Sequence, residues 1–172
     1  YRTATTMSIL SDEPMSIKLV TKQEWVPENY DKNFRGDVTL RYALENSLNM
    51  PAVYVGQRVG IRSLANTLKN FGVTENPPAV PALALGAADT TLLELTAGYA
   101  GLANGGIIVN PRIYVSALDA EGEVLAAGSI EERRVASENA VYVLTNILQG
   151  VLERGTGAAV RRLGYRREAA GK

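Results

Sequence analysis

Ser47 and Asn49 belong to a Ser-x-Asn tripeptide that places a hydroxyl and a carboxamide two residues apart, between two predicted helices. A hydroxyl can pass a proton between neighbouring groups, and a carboxamide can both donate and accept hydrogen bonds. The same residue types are favoured at helix ends, where they satisfy free backbone groups. The tripeptide alone therefore does not distinguish a catalytic site from a pair of capping residues.

The chain contains neither cysteine nor histidine, and this removes several kinds of chemistry. A Ser-His-Asp triad, a Cys-His nucleophile and a zinc site rich in cysteine or histidine cannot form from its residues. If the chain belongs to an enzyme with a nucleophilic serine, the base must be a lysine or a carboxylate. We expect no metal ion and no cofactor.

The bulk composition predicts one domain or part of one. The chain has 172 residues and 46% hydrophobic content, enough for one sizeable core. Its 18 basic and 18 acidic residues cancel, which argues against nucleic acid or an anionic membrane as a partner and favours a peptide or small molecule. No apolar run approaches the roughly eighteen residues of a membrane span. Residues 1–4 do not resemble a signal peptide, so targeting information is expected outside this sequence.

Helical spacing predicts the elements on both sides of the tripeptide. One face of the first helix carries Leu40, Ala43, Leu44 and Ser47. This spacing predicts that the Ser47 side chain points the same way as the apolar ones. A second helix is predicted to begin at Pro51, since proline suits the first helical turn, and a third to cover residues 62–71.

Clear end signals mark two later helices. Thr91 and Glu94 have the spacing of a capping box before an apolar stripe that includes Tyr99, which is therefore expected in the core. Ser137 can cap the last long helix. Alternation in residues 113–117 and 124–126 predicts an antiparallel hairpin with one buried face. The sequence therefore predicts an α+β fold, mainly helical with a small antiparallel element.

Residues 1–36 are predicted to be irregular, because prolines and glycine interrupt any regular period. Glu28 and Asn29 are expected in a turn, and packing of Trp25, Tyr30 and Phe34 is expected to order the segment. Trp25 is more readily interpreted as a core anchor than as a platform for substrate.

Several longer runs, taken together, resemble the transpeptidase domain of class A penicillin-binding proteins. They follow the expected order along nearly the whole chain: Trp25 to Tyr30, Phe34 to Ala52, Ala84-Leu85-Gly86, Leu95 to Gly106, Gly155-Thr156-Gly157 and Ala170-Gly171-Lys172. The resemblance implies that residues 1–172 form a single, incomplete transpeptidase domain with a fold like that of serine β-lactamases.

Enzymes of this kind use three signatures, Ser-x-x-Lys, Ser-x-Asn and Lys-Thr-Gly. Only the second is complete here, because no serine of the chain is followed by lysine at the third position. The resemblance places the Ser-x-x-Lys motif just before Tyr1 and identifies Lys172 with the lysine of Lys-Thr-Gly. The acylated serine is thus expected outside the chain, which by itself should be inactive.

The resemblance also implies roles, substrates and location. Ser47 would pass a proton, Asn49 would hydrogen-bond the donor peptide, and Lys172 would supply positive charge for its terminal carboxylate. The expected partners are peptidoglycan stem peptides ending in D-Ala-D-Ala, with β-lactams as inhibitors and no nucleic acid. The parent protein would be membrane-anchored and extracytoplasmic, with a glycosyltransferase domain.

Other interpretations stay open at this point. The chain could be a non-catalytic module that binds muropeptides or β-lactams, a purely structural helical domain, or part of a related serine β-lactamase or carboxypeptidase, which should lack the Trp25 to Tyr30 run. Four arginines surround Tyr165, namely Arg161, Arg162, Arg166 and Arg167. They could form a patch for nucleic acid or anionic lipid, although nearby acidic residues favour a solvated face.

Overall fold

The computed structural model of the chain describes residues 4–19 and 22–172. The helices are α1 (Leu40–Glu45), α2 (Asn49–Val59), α3 (Ile61–Asn70), α4 (Leu92–Ala103), α5 (Glu138–Glu153) and α6 (Ala159–Arg162), with a 3₁₀ helix at Pro81–Leu85. The strands are β1 (Ile9–Asp12), β2 (Ile17–Lys18), β3 (Glu24–Trp25), β4 (Gly36–Thr39), β5 (Ile107–Val109), β6 (Ser116–Leu118), β7 (Val124–Ala127) and β8 (Glu132–Arg134). The predicted α+β fold, mainly helical with small antiparallel elements, is confirmed.

The strands form two-stranded antiparallel pairs, β1 with β4, β2 with β3, β5 with β8 and β6 with β7. In the first pair Leu10 lies opposite Val38, and both side chains are buried. Thr39 ends β4 and caps α1 by accepting a hydrogen bond from the Tyr42 amide. The first pair therefore leads directly into the helix that precedes Ser47.

Packing around α2 forms the part of the core that lies closest to the tripeptide. Met50 and Val53 are fully buried on α2, and Leu48, just before it, is also buried. On α5, a stripe of apolar side chains is buried: Val141, Ile147, Leu148 and Val151. Fully burying one such side chain contributes about 1.5–3 kcal/mol, so these residues fix how the helices lie. Within residues 4–19 and 22–172, no helix has the length and apolar character needed to cross a bilayer.

The end signals of the later helices are confirmed. Thr91 and Glu94 form a complete capping box at α4, and the Ser137 side chain caps α5. The second helix begins at Asn49, two positions before Pro51. These signals act within one turn of backbone and need no distant partner.

Three packing predictions are wrong. The hairpin of β6 and β7 begins at Ser116 and is exposed on both faces, because no other element of the described residues packs against it. Tyr99, predicted in the core, is 38% exposed. Tyr30 and Phe34 are exposed as well, so they do not order the first segment. A polar network takes that role.

An ion pair between the buried Glu45 carboxylate and the exposed Arg154 guanidinium joins α1 to the end of α5. Glu45 is only 2% exposed, and the Arg154 guanidinium binds its carboxylate at two points, with Nε–Oε2 at 2.9 Å and Nη2–Oε1 at 2.5 Å. Arg41 approaches Oε1 at 3.3 Å. Gly150 leaves room for this carboxylate, because a Cβ atom there would lie 2.1 Å from Oε1.

We predict that Arg154→Ala lowers the free energy of unfolding by about 2 kcal/mol. Removing one partner leaves the Glu45 carboxylate buried with weaker compensation, although Arg41 stays and limits the loss. Urea titration of the purified chain measures the change. Arg58→Ala is the matched control, since Arg58 contacts only the exposed Tyr54 ring and hydroxyl and should cost less than about 0.5 kcal/mol. Equal effects of the two substitutions would contradict this account of the ion pair.

Candidate active site around Ser47, Asn49 and Lys172

Ser47 lies in the short connection between α1 and α2. Its φ is 55°, in the left-handed region that non-glycine residues seldom adopt. The helix α1 ends at Glu45, so Ser47 lies beyond it rather than in its last turn. Ser47 nevertheless lines a cavity that Leu40, Ala43 and Leu44 also line, as the helical spacing predicts. The next residue, Leu48, is buried beside Val38 and Ala43, which anchors the turn. Uncommon backbone conformations of this kind cluster at functional sites.

The Lys172 amine reaches this turn from the other end of the chain. Its Nζ donates to Ser47 Oγ at 2.8 Å and to the Leu44 carbonyl oxygen at 2.6 Å. The preceding residue, Gly171, bonds through its amide to the Leu148 carbonyl of α5 at 3.3 Å. The amine is therefore held at the C-terminal end of α1, where carbonyl oxygens of the helix favour a positive charge.

Burial of the amine lowers the pKa of Lys172 below its ordinary value. With a lowered pKa, the neutral form of the amine becomes populated at a less alkaline pH than it does for a solvated lysine. When charged, the amine only donates, so Ser47 Oγ accepts and keeps its own proton free for another acceptor. When neutral, the amine can accept that proton. The pair can thus move a proton in either direction.

Asn49 is the first residue of α2 and is fixed through two nitrogen atoms. Its backbone N donates to Asn29 Oδ1 at 2.8 Å, and its side-chain Nδ2 donates to the Glu28 carbonyl oxygen at 2.6 Å. In the described part of the chain, no hydrogen bond engages Asn49 Oδ1. That oxygen can therefore accept a hydrogen bond from a ligand.

One cavity of about 590 Å³ unites the three predicted site residues. Ser47, Asn49 and Lys172 all line it, and most other lining side chains are aliphatic, from α1, α2 and the 3₁₀ helix. A mainly apolar pocket with a few convergent polar groups is typical of ligand sites. Residues that carry a hydroxyl, a carboxamide and an amine thus line one half-open cavity, a set suited to proton transfer and to binding an anionic peptide end.

The other features predicted from the sequence lie apart from this cavity. Trp25 is half-buried and pairs with Ile17 across β2 and β3, as an anchor would. Arg161 binds Glu153 and the backbone oxygens of Tyr165 and Arg167, so it organises its own loop. Among the described residues, no cluster of three or more acidic side chains could hold a metal ion.

Sequence reasoning missed the polar residues that hold Asn49. Asn29 is buried and Asp12 is completely inaccessible to solvent, yet Asn29 was assigned only to a turn. The available signal was its place in the Trp25 to Tyr30 run, which no packing argument explained.

Comparison with known proteins covers nearly the whole chain. The family model described as the penicillin-binding protein transpeptidase domain matches residues 9–172. Penicillin-binding protein 1A of Rickettsia conorii is 31% identical over 91% of this chain. Penicillin-binding protein 1B of Vibrio cholerae is 33% identical, also over 91% of the chain. The chain spans only 23% and 20%, respectively, of these two relatives.

A solved structure matches the fold closely. The crystal structure of penicillin-binding protein 1A from Haemophilus influenzae superposes with a TM-score of 0.88 at 26% identity. The match covers 98% of this chain and 31% of that chain. The predicted resemblance is therefore confirmed by both sequence and fold.

The Lys172 amine should titrate below the ordinary lysine pKa of about 10.4, because burial disfavours its charged form. The unfolded chain then holds the proton more tightly, so this group's contribution to stability rises with pH between the lowered and the ordinary value. NMR titration of the Lys172 13Cε signal measures the midpoint. The same lysine in the urea-unfolded chain is the control, and equal midpoints in the two states would contradict the burial of the amine.

Proposed function

Because the chain belongs to the family of penicillin-binding protein transpeptidase domains, we propose that it works as part of a serine D,D-transpeptidase that cross-links peptidoglycan stem peptides. The observation that carries the proposal is the 2.8 Å contact between Lys172 Nζ and Ser47 Oγ in a cavity that Asn49 also lines. Membership of a penicillin-binding transpeptidase family implies a serine acyl-transfer reaction. The D-Ala-D-Ala specificity is the finer part of the proposal.

In the proposed reaction, a serine from outside residues 1–172 attacks the carbonyl carbon between two terminal D-alanines. The serine gives its hydroxyl proton to the lysine of its own Ser-x-x-Lys motif, the new ester bond replaces the peptide bond, and the leaving D-alanine nitrogen takes up one proton. The amine of a second stem peptide then attacks the ester and forms the cross-link. Its surplus proton returns through Ser47 to Lys172, and the released serine oxygen regains a proton from the lysine of Ser-x-x-Lys. Covalent catalysis of this type divides one difficult step into two easier ones.

Ser47 is proposed to carry the proton. With Lys172 charged, the Ser47 oxygen is already an acceptor, so its hydrogen is free to go to the leaving nitrogen. Lys172 then replaces the proton that Ser47 has lost by giving its own proton to the Ser47 oxygen, which leaves a neutral amine. The lowered pKa of Lys172 favours that neutral product. This is how a site without histidine can supply and recover a proton.

Asn49 and Lys172 are proposed to bind the donor peptide. The free Oδ1 of Asn49 can accept a hydrogen bond from a peptide amide, and the charged amine of Lys172 attracts the terminal carboxylate. Both groups are held by neighbouring backbone oxygens before substrate arrives. Such preorganisation reduces the entropy lost on binding and keeps the reacting atoms close.

The setting of the parent protein is also proposed from the family. We infer a membrane-anchored protein that acts on the extracytoplasmic side, carries a glycosyltransferase domain, and is inhibited by β-lactams that acylate the same serine. The chain covers less than a third of each of the three proteins compared above, so these properties are proposed for a longer parent protein.

A second candidate is a non-catalytic module that binds muropeptides or β-lactams. A degenerate sequence in place of Ser-x-x-Lys before residue 1 would favour it, since only the Ser-x-Asn signature is complete within residues 1–172. The two candidates differ in covalent chemistry, since a binding module would hold penicillin reversibly even in its full sequence context.

The purified 172-residue chain should form no covalent adduct with a fluorescent penicillin, because it contains no Ser-x-x-Lys nucleophile. Intact-mass spectrometry after incubation is the measurement, with a full penicillin-binding transpeptidase domain as positive control. An adduct on the chain itself would refute the placement of the nucleophile outside it.

In the source polypeptide, extended until it includes a Ser-x-x-Lys sequence, Ser47→Ala should slow penicillin acylation by about a hundredfold or more. Positioned proton transfer typically contributes this much. The rate of fluorescent labelling gives the value, and Ser63→Ala, an exposed serine on α3, serves as the control. Acylation at the wild-type rate in the Ser47 variant would remove this hydroxyl from the mechanism. Reversible binding without acylation in the wild type would favour the binding module.

A further inference from the structure

Asp12 and Asn29 form a buried polar pair behind the tripeptide. We propose that they are positioning residues for Asn49: they fix which atoms of its amide groups are engaged by the protein and which face the cavity. The inference rests on the proposed function for its catalytic consequence. Its structural half, the control of Asn49 by Asn29, can be tested without any penicillin.

Asp12 is the fixed end of the network. It ends β1, is 0% exposed, and its carboxylate accepts hydrogen bonds from two directions. Asn29 Nδ2 lies 2.8 Å from Oδ1 and 3.0 Å from Oδ2, and the Arg35 amide donates to Oδ2 at 3.0 Å. Nη1 of the Arg35 guanidinium lies 3.9 Å from Asp12 Oδ2. A carboxylate only accepts hydrogen bonds, so every group that touches it must present a donor.

That requirement sets the orientation of Asn29. Its NH₂ group must face Asp12, and it also donates to the Asn33 carbonyl oxygen at 2.8 Å. Both hydrogens of Nδ2 are then used within the network, and the amide cannot rotate by half a turn without placing its oxygen against the carboxylate. Asn29 Oδ1 is therefore held on the opposite side, where it accepts from the Asn49 amide at 2.8 Å.

The oxygen meets a donor that has no partner within its own helix. Asn49 is the first residue of α2, where backbone amides lack intrahelical acceptors, and the N-cap residue Leu48 has no side chain that could accept. Asn29, from a distant part of the same chain, thus supplies the acceptor that the side chain of a serine or aspartate would normally supply from the N-cap position. The adjacent Glu28 carbonyl holds Asn49 Nδ2 at 2.6 Å. Consecutive residues of one turn fix both nitrogens of Asn49, which leaves Oδ1 for the cavity.

The pair joins parts of the chain that no secondary structure connects. Asp12 belongs to β1, Asn29 to the irregular segment after β3, and Asn49 to α2. A rigid polar network at this junction transmits the position of β1 to the tripeptide. Buried networks that are fully hydrogen-bonded specify one arrangement, because any rotation leaves a polar group without a partner.

Hydrogen exchange in the 172-residue chain tests the structural half. Asn29→Ala should accelerate exchange of the Asn49 amide by about tenfold relative to Val53 in the same helix, because one hydrogen bond is lost. Asn46→Ala, which removes only a local bond to the Tyr42 carbonyl, should change neither amide. The inference is overturned if Asn49 exchanges as in the wild type, or if Asn49 and Val53 accelerate by the same factor.

Two further variants keep the test decisive if Asn29→Ala does not fold. Asp12→Asn keeps the shape but permits Asn29 to rotate and present its NH₂ to the Asn49 amide, so it should also accelerate that exchange. The swapped pair Asp12→Asn with Asn29→Asp restores an acceptor opposite the Asn49 amide but loses the donor to the Asn33 carbonyl, so it should recover part of the protection. No recovery in the swapped pair would overturn the orientation argument.

Kinetics in a polypeptide that includes Ser-x-x-Lys test the catalytic half. Asn29→Ala should lower the acylation rate at saturating penicillin by about tenfold or more, with a smaller change in the concentration that gives half-saturation. The swapped pair should regain part of the rate. An unchanged rate in Asn29→Ala overturns the positioning role. If the wild type does not label at all, the proposed function fails, and the exchange measurement still reports separately on Asn29.

Discussion

The ion pair between the buried Glu45 carboxylate and the exposed Arg154 guanidinium holds the turn on which the candidate site depends. Glu45 ends α1, so binding its carboxylate from α5 holds the last turn of α1 in place. The same turn supplies the Leu44 carbonyl that receives the Lys172 amine, and the backbone then reverses at Ser47. The Glu45 carbonyl also accepts from the Thr156 amide, which ties the turn after α5 to the same point. Together with the hydrogen bonds of Gly171 to Leu148 and of Lys172 to Leu44, this attachment keeps Ser47 and Lys172, 125 residues apart in sequence, within hydrogen-bond distance.

A second buried carboxylate, Asp12, supports the tripeptide from its other side. The two acids are compensated differently. Glu45 is neutralised by an arginine fork, whereas Asp12 is satisfied mainly by amide groups of Asn29 and Arg35. Burying a charge is costly unless hydrogen bonds replace those of water, so each acid demands a specific set of donors. That demand gives the turn between α1 and α2 one arrangement, in which Ser47 and Asn49 line one cavity.

The sequence predicted what depends on neighbouring residues or on ordered motifs. Caps at Thr91 and Ser137 could be predicted because a cap is complete within one helical turn. The resemblance predicted that Ser47, Asn49 and Lys172 belong to one site, and the structure brings their side chains to one cavity. The partner of Glu45 lies 109 residues away and no periodicity indicates it. The exposure of Tyr30, Phe34 and the β6–β7 hairpin could not be predicted from the local sequence either. It depends on which other elements cover these residues rather than on their own alternation.

The central claim is that a serine hydroxyl and a partly buried lysine amine face the same cavity as Asn49. A high-resolution crystal structure of the source polypeptide, determined with and without bound penicillin, tests it most directly. The account predicts Ser47 Oγ and Lys172 Nζ at hydrogen-bond distance, near 2.8 Å, with Asn49 Oδ1 turned towards the bound acyl group. It would be contradicted by a separation well beyond about 3.5 Å in both states, with the amine in solvent and the ligand bound elsewhere.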